Sequence, residues 1–423
     1  MRWLSFACLL ALAACNGGSS DAVDAGDDAA DEPYDPQPTL PPWMDSAEVF
    51  VSGHDLEDQY DCRDVICRHN ENVDMIQWNG AYWLVHRTAR SQVLGPDSAL
   101  HVYRSTDGTS FAQVALIQAP SDRDIRDPHF YVVGNELYIH CITRLPVSST
   151  RDTGVDSISV ATHSPDGVTW APLVNIGPET WSFWRVKQYG GVYYSAAYQD
   201  GDLSVSLFSS TDGLTWTQGA QVYGVSADTP LETELVFLPS GNLLALVRTD
   251  GSDAVYLAQQ PPISTRVCWA EPPYDTFSCP QTLDGVRLDG PLAFFWNQRL
   301  FVIARKHILT DTLCRKRTAL YEITGTIDGG PIGIDEIGEL PSAGDTSYAG
   351  YAMLDANRAV VSWYSGDLYR DESWQTAIFD LTDIWLGTID FSRVPPSPFD
   401  GGAFDGGDPD DGGDPDGGDA AGD

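Results

Sequence analysis

The chain has 423 residues and carries 61 acidic against 24 basic side chains, a formal net charge of −37. An excess of this size repels a polyanionic backbone and argues against nucleic acid as a partner. With 42% hydrophobic and 11% aromatic residues, the chain is nonetheless rich enough in apolar side chains to bury a large core.

Residues 1–15 begin with Arg2, continue through an apolar run from Leu4 to Leu12, and end in Leu12-Ala13-Ala14-Cys15. The run is too short to span a bilayer as a helix, so it reads as a cleaved export signal. It resembles a bacterial lipoprotein signal ending in its lipobox. That resemblance implies lipidation of Cys15 and attachment to a membrane through acyl chains. Residue 16 is Asn, not the Asp that marks inner-membrane retention in this signal class, so the outer membrane or cell surface is the expected location. Residues 16–42 form an acidic linker and 396–423 an Asp/Gly/Pro-rich tail. Within them, 16–35 and 400–423 contain sixteen acidic residues and no basic one. Such segments bury nothing and repel themselves, so both are expected to be disordered spacers.

The span 43–395 is expected to be a single domain. Leaving out Cys8 and Cys15, six cysteines remain, an even number suited to an oxidising compartment. Short spacings pair Cys62 with Cys67 and Cys268 with Cys279. Cys141 and Cys314 are then a third pair or two buried thiols.

Six copies of one strand pair run through this domain. The tight turns are Asn79-Gly80, Gly134-Asn135, Gly190-Gly191, Ser240-Gly241, Asn297-Gln298 and Ala356-Asn357. Each is followed by an apolar strand: Tyr82 to His86, Leu137 to Cys141, Val192 to Ala196, Leu243 to Val247, Leu300 to Ala304 and Ala359 to Trp363. A spacing of roughly 50 to 60 residues suits a four-stranded propeller blade. No sustained 3.6-residue apolar period appears, so helix should be scarce. The fold class is therefore all-β, a six-bladed β-propeller with residues 46–52 closing the ring; five blades with an extra sheet is the alternative.

Three copies continue into Ser105-Thr-Asp107-Gly108-Thr-Ser-Phe111, Ser164-Pro-Asp166-Gly167-Val-Thr-Trp170 and Ser210-Thr-Asp212-Gly213-Leu-Thr-Trp216. In such a turn Asp accepts backbone N–H bonds and Gly takes positive φ. These segments look like the Asp boxes of sialidase-type blades, which sit at the outer edge of a blade and carry no catalytic information.

In a propeller the innermost strands line a central funnel. Their starts are polar here: Arg126-Asp127-Pro128-His129, Trp184-Arg185, Glu232-Thr233-Glu234, Asp289-Gly290-Pro291 and Asp345-Thr346-Ser347-Tyr348. Glu232, Asp289 and Tyr348 each fall nine residues before the second turn residue of their copy, and Arg87, Arg248 and Arg305 each fall seven after it. Equal offsets place each set at one level of the funnel. Arginine forks at that level suit a carboxylate ligand.

Over residues 70–390 the chain is similar to exo-sialidases and their bacterial relatives. Glu232 through Arg248 resembles the segment in which a Glu precedes a carboxylate-binding Arg by one hairpin. Tyr348-Ala-Gly-Tyr-Ala-Met-Leu resembles the segment bearing the nucleophilic tyrosine. Asp97, ahead of the strand Ala99 to Tyr103, stands where sialidases carry their acid/base. The resemblance implies Tyr348 as nucleophile, Glu232 as its base, Asp97 as acid/base, and Arg248 and Arg305 in a clamp on the substrate carboxylate. The first clamp arginine of that family lies in an Arg-Ile-Pro strand. The corresponding strand here reads Asn72-Val-Asp-Met-Ile, and Arg68, Arg126 or Arg185 would have to substitute.

The expected function is a surface-anchored glycoside hydrolase of acidic or sialylated glycans, working as a monomer without cofactor or metal. One alternative is a non-catalytic glycan-binding propeller. Another rests on Arg126-Asp127-Pro128, which is similar to a furanosidase motif whose Asp stabilises the transition state, and would make Asp127 catalytic.

Overall fold

The computed structural model describes residues 34–396 apart from 55, 94, 96–97, 121–122, 146–156, 200–202, 251–263, 310–313 and 326–327. Its strands form six four-stranded antiparallel sheets. After β1 (Met44–Val51), blade one is β2 (His69–Trp78), β3 (Ala81–Ala89), β4 (Ala99–Ser105) and β5 (Ala112–Gln118). Blade two is β6 (Asp124–Val133), β7 (Glu136–Arg144), β8 (Ser157–Ser164) and β9 (Val174–Asn175). Blade three is β10 (Trp181–Tyr189), β11 (Val192–Gln199), β12 (Val205–Ser210) and β13 (Thr217–Tyr223). Blade four is β14 (Pro230–Phe237), β15 (Leu243–Thr249), β16 (Ser264–Ala270) and β17 (Ser278–Asp284). Blade five is β18 (Asp289–Trp296), β19 (Arg299–Leu309), β20 (Cys314–Gly325) and β21 (Ile332–Leu340). Blade six is β22 (Thr346–Met353), β23 (Arg358–Ser365) and β24 (Asp383–Asp390).

Blade six lacks an outer strand of its own and takes β1, which pairs antiparallel with β24. The ring is thus closed by the start of the domain, as the six-copy repeat predicts. The apolar core lies between blades. One cluster joins Trp83, Val85 and Leu100 of blade one to Phe130 and Ile139 of blade two, and another joins Phe301 and Ile303 of blade five to Val361 and Trp363 of blade six.

The three Ser-x-Asp-Gly turns connect the third and fourth strands of blades one to three. Asp166 Oδ1 accepts from the Val168 and Thr169 amides at 2.8 and 2.7 Å, and Trp170 Nε1 donates to the Gly167 carbonyl at 3.0 Å. The glycine also serves packing. A Cβ on Gly167, which has φ +74°, would stand 2.1 Å from the Trp83 ring of the preceding blade. Gly213 meets Val133 and Gly108 meets Leu354 in the same way. These turns therefore fit each blade against its predecessor.

Disulfides join Cys62 to Cys67 and Cys268 to Cys279. Cys141 and Cys314 are separate buried thiols, on blades two and five, which decides between the two possibilities open for them.

Candidate funnel-floor site

Every inner hairpin is irregular at the same level. The register breaks between Glu71 and Asp74, Arg126 and His129, Phe183 and Val186, Pro230 and Thr233, Asp289 and Leu292, and Ser347 and Gly350. Such a bulge re-aims side chains at the end of a sheet. At four of the six the chain turns left-handed, at Asn72 (φ +48°), Asp127 (φ +51°), Gly290 (φ +57°) and Tyr348 (φ +52°). For non-glycine residues this is a costly backbone state, kept where the surroundings dictate it.

Two of these positions meet. The Tyr348 hydroxyl donates to Glu232 Oε1 at 2.6 Å, joining blades six and four. Arg248 Nη1 holds the other oxygen, Glu232 Oε2, also at 2.6 Å. Arg305 lies 5.1 Å over the Tyr348 ring, and Trp184 packs edge-on against it at 5.7 Å. Burial and the neighbouring Glu232 hold the Tyr348 phenol well above its ordinary pKa, against the opposing pull of Arg248 and Arg305. The tyrosine is thus protonated at rest, with Glu232 accepting its hydrogen bond.

The repeated arginines form latches. Each joins an acid at the start of its own inner strand to one in the next blade. Arg87 donates to Glu71, and through Nε to Asp124 at 2.8 Å. Arg248 joins Glu232 to Asp289, its Nε standing 3.2 Å from Asp289 Oδ1. Arg305 stands 3.8 Å from Asp289 and donates to Asp345 at 3.1 Å. Arg248 is further gripped by both oxygens of Asp250, at 2.6 and 2.8 Å. Asp289 also accepts from Arg287 Nε at 2.7 Å and His307 Nε2 at 2.8 Å. Burial alone would raise the Asp289 carboxyl, but Arg248, Arg287 and His307 hold it well below the usual range.

Asp127 differs from Asp289. Burial pushes its pKa up to about 7, Arg126 pulls the other way, and Glu232 and Glu71 raise it further. Asp127 also acts electrostatically on Tyr348. A buried carboxyl poised near neutrality has the property that a general acid needs.

The other candidates separate. Arg126 turns its fork to Asp124, through Nε at 2.9 Å, and to the Gln92 carbonyl at 2.6 Å. Arg68 pairs with Asp380. Arg185 points past the bulge, away from the proposed clamp: it donates to Asp74 Oδ1 and the Ala349 carbonyl, both at 2.6 Å, and to the Pro291 carbonyl at 3.3 Å. It lines a cavity of about 340 Å³ with Met75, Lys187, Leu292, Tyr351 and Met353, at the opposite end of the inner strands. None of the three replaces the first clamp arginine. Glu71 stands nine residues before Gly80, at the offset shared by Glu232 and Asp289. The repeat contained this signal. Asp97 and Cys15 lie outside the described residues.

No protein-family model matches the chain, and no curated protein matches it. Solved structures do. A protein of unknown function from Dyadobacter fermentans is 17% identical, with a TM-score of 0.58 over 82% of this chain and 98% of that one. Trypanosoma rangeli sialidase in complex with sialic acid is 12% identical, with a TM-score of 0.57 over 82% of this chain and 58% of that one. The K499G mutant of NanB sialidase from Streptococcus pneumoniae is 11% identical, with a TM-score of 0.56 over 85% and 72%. The chain thus spans little more than half the length of the trypanosomal enzyme. At these identities the likeness shows the fold alone, a sialidase-like six-bladed propeller.

Proposed function

We propose that the chain is a retaining glycoside hydrolase of sialidase-like mechanism, acting on acidic or sialylated glycans. The observation that carries this reading is the 2.6 Å bond from the Tyr348 hydroxyl to Glu232 on the funnel floor. In the first step the Tyr348 oxygen attacks the anomeric carbon while its proton passes to Glu232. The glycosidic bond breaks, and its oxygen takes a proton from Asp127. In the second step the Asp127 carboxylate removes a proton from water, and the resulting hydroxide displaces Tyr348. The phenolate then recovers its proton from Glu232. A sugar bearing a carboxylate on its anomeric carbon repels a carboxylate nucleophile, whereas a phenol approaches it neutral. Arg248 and Arg305 flank Tyr348 and would hold that carboxylate.

The latches favour a second reading, a neutral sugar, because both arginines already hold acids. A panel of sialosides and neutral oligosaccharides, each tested with wild type and Tyr348→Phe, decides between them. Tyrosine-dependent release from sialosides supports the first reading, and tyrosine-dependent release from neutral sugars alone supports the second. Release that survives Tyr348→Phe sinks the mechanism. We further propose that lipid on Cys15 holds the chain at a membrane surface; retention of a Cys15→Ser variant in washed membranes would refute this.

A further inference from the structure

His69, Glu71 and Asp345 take no part in the hydrolytic steps, and all three are fully buried. Each is held through one atom and turns another toward a common point. His69 Nδ1 is 2.6 Å from the Asp380 carbonyl. A carbonyl only accepts, so the neutral ring carries its hydrogen on Nδ1 and a lone pair on Nε2. Arg87 holds Glu71 Oε1. Asp345 Oδ1 accepts from Trp374 Nε1 at 3.0 Å, Arg305 Nη2 at 3.1 Å and the Tyr364 hydroxyl at 3.2 Å.

The atoms left over are His69 Nε2, Glu71 Oε2 and Asp345 Oδ2. His69 Nε2 and Glu71 Oε2 contact each other at 3.3 Å, none of the three makes a hydrogen bond of good geometry among the described residues, and all lie within 4.8 Å of one another. Three such atoms converging in a dry interior, two of them on carboxylates, repel one another unless a cation or an added proton stands among them. We propose that His69 Nε2, Glu71 Oε2 and Asp345 Oδ2 bind a divalent transition-metal ion of the zinc class, between blades one and six.

The geometry fits such an ion. His69 Nε2 and Glu71 Oε2 are 3.3 Å apart, and a tetrahedron with bonds of roughly 2.0–2.1 Å has edges of about 3.3–3.4 Å. One imidazole with two carboxylates suits zinc or cobalt, whereas calcium and magnesium favour all-oxygen sets. The Nδ1–H bond to a backbone carbonyl and the donors on the far carboxylate oxygens are the outer supports that metal ligands require. Three protein ligands leave a fourth position open. Through Asp345 the ion would also fix Arg305, and with it the wall over Tyr348.

The test uses the full chain, stripped with a chelator and titrated with Co2+ and then Zn2+. Acidic tails bind cations weakly, so His69→Gln and Glu71→Gln are titrated in parallel. The expected result is one tight equivalent of Co2+ with the visible absorption of a four-coordinate site, displaced by Zn2+. Its affinity should fall at least about 100-fold in either variant. The proposal is overturned if Co2+ gives no visible band, or if band and affinity are unchanged in both variants. Should both variants fail to fold, X-ray absorption on the zinc-loaded wild type still decides. One histidine nitrogen among oxygen ligands supports the site, and an all-oxygen shell overturns it.

Discussion

A Cβ placed on Gly290 would stand 2.8 Å from the Tyr348 ring, so this glycine of blade five defines the room in which the tyrosine of blade six lies. Gly290 also has φ +57°, which an L side chain adopts only with strain. Gly290→Ala should therefore do two things. It should destabilise the fold by about 1–3 kcal/mol. It should also push the phenol off Glu232 and lower turnover well beyond what the lost stability explains, because a displacement of about 1 Å at a reacting atom costs on the order of 100-fold. Thermal melting and kcat on the same preparation test this; a destabilised variant with unchanged kcat would show that the ring position does not matter.

The Tyr348–Glu232 bond predicts coupling. Tyr348→Phe removes one oxygen and Glu232→Gln keeps the shape of the side chain, so binding should persist in each while turnover collapses. Each change disables the same proton transfer, and the double variant should be little worse than either single one. Losses that multiply would mean that the two residues serve different steps.

The acid role proposed for Asp127 predicts a pH dependence. As the acid it must be protonated, so kcat/KM should fall about tenfold per unit as pH rises above about 7. Stability follows the same group. Its folded pKa is raised, so the stability it contributes is full below the unfolded value near 4 and is lost as pH rises toward about 7. Asp127→Asn should abolish the alkaline limb of any residual activity and gain stability relative to wild type across that window. An unchanged limb in this variant would move the acid role to another carboxyl, with Asp97 the first to test.

How much of this could be read in the chain depends on the kind of signal. Six blades follow from turns at even spacing, because local turn chemistry repeats wherever a hairpin does. Tyr348 and Glu232 were reachable from equal offsets together with the resemblance. The arginines at their own equal offset suggested a carboxylate clamp, yet Arg87, Arg248 and Arg305 each bridge acids of adjacent blades. A repeat position records what every blade needs, and blade-to-blade latching is such a need. Asp124, Asp289 and Asp345 carry the other half of these pairs, but nothing along the chain announces which arginine an acid will meet. His69 and Asp345 converge only because the ring closes, 276 positions apart by number.

Arg185 is the clearest case of a clamp candidate with a structural task, and its variant should behave accordingly. Its guanidinium reaches Asp74 of blade one, the Ala349 carbonyl of blade six and the Pro291 carbonyl of blade five, so one side chain of blade three ties four blades at the axis. Asp74 is buried and holds the Phe130 amide through its other oxygen at 2.8 Å. Arg185→Met fills similar volume but leaves the Asp74 charge uncompensated, a loss of about 3–5 kcal/mol for a broken buried pair. Adding Asp74→Asn should recover part of that loss, because the amide still accepts from Phe130 and no longer carries a charge. KM should stay unchanged in whatever fraction remains folded, since the guanidinium is occupied by Asp74 and the Ala349 and Pro291 carbonyls. A variant of normal melting temperature with a raised KM would return Arg185 to the substrate and remove it from the frame.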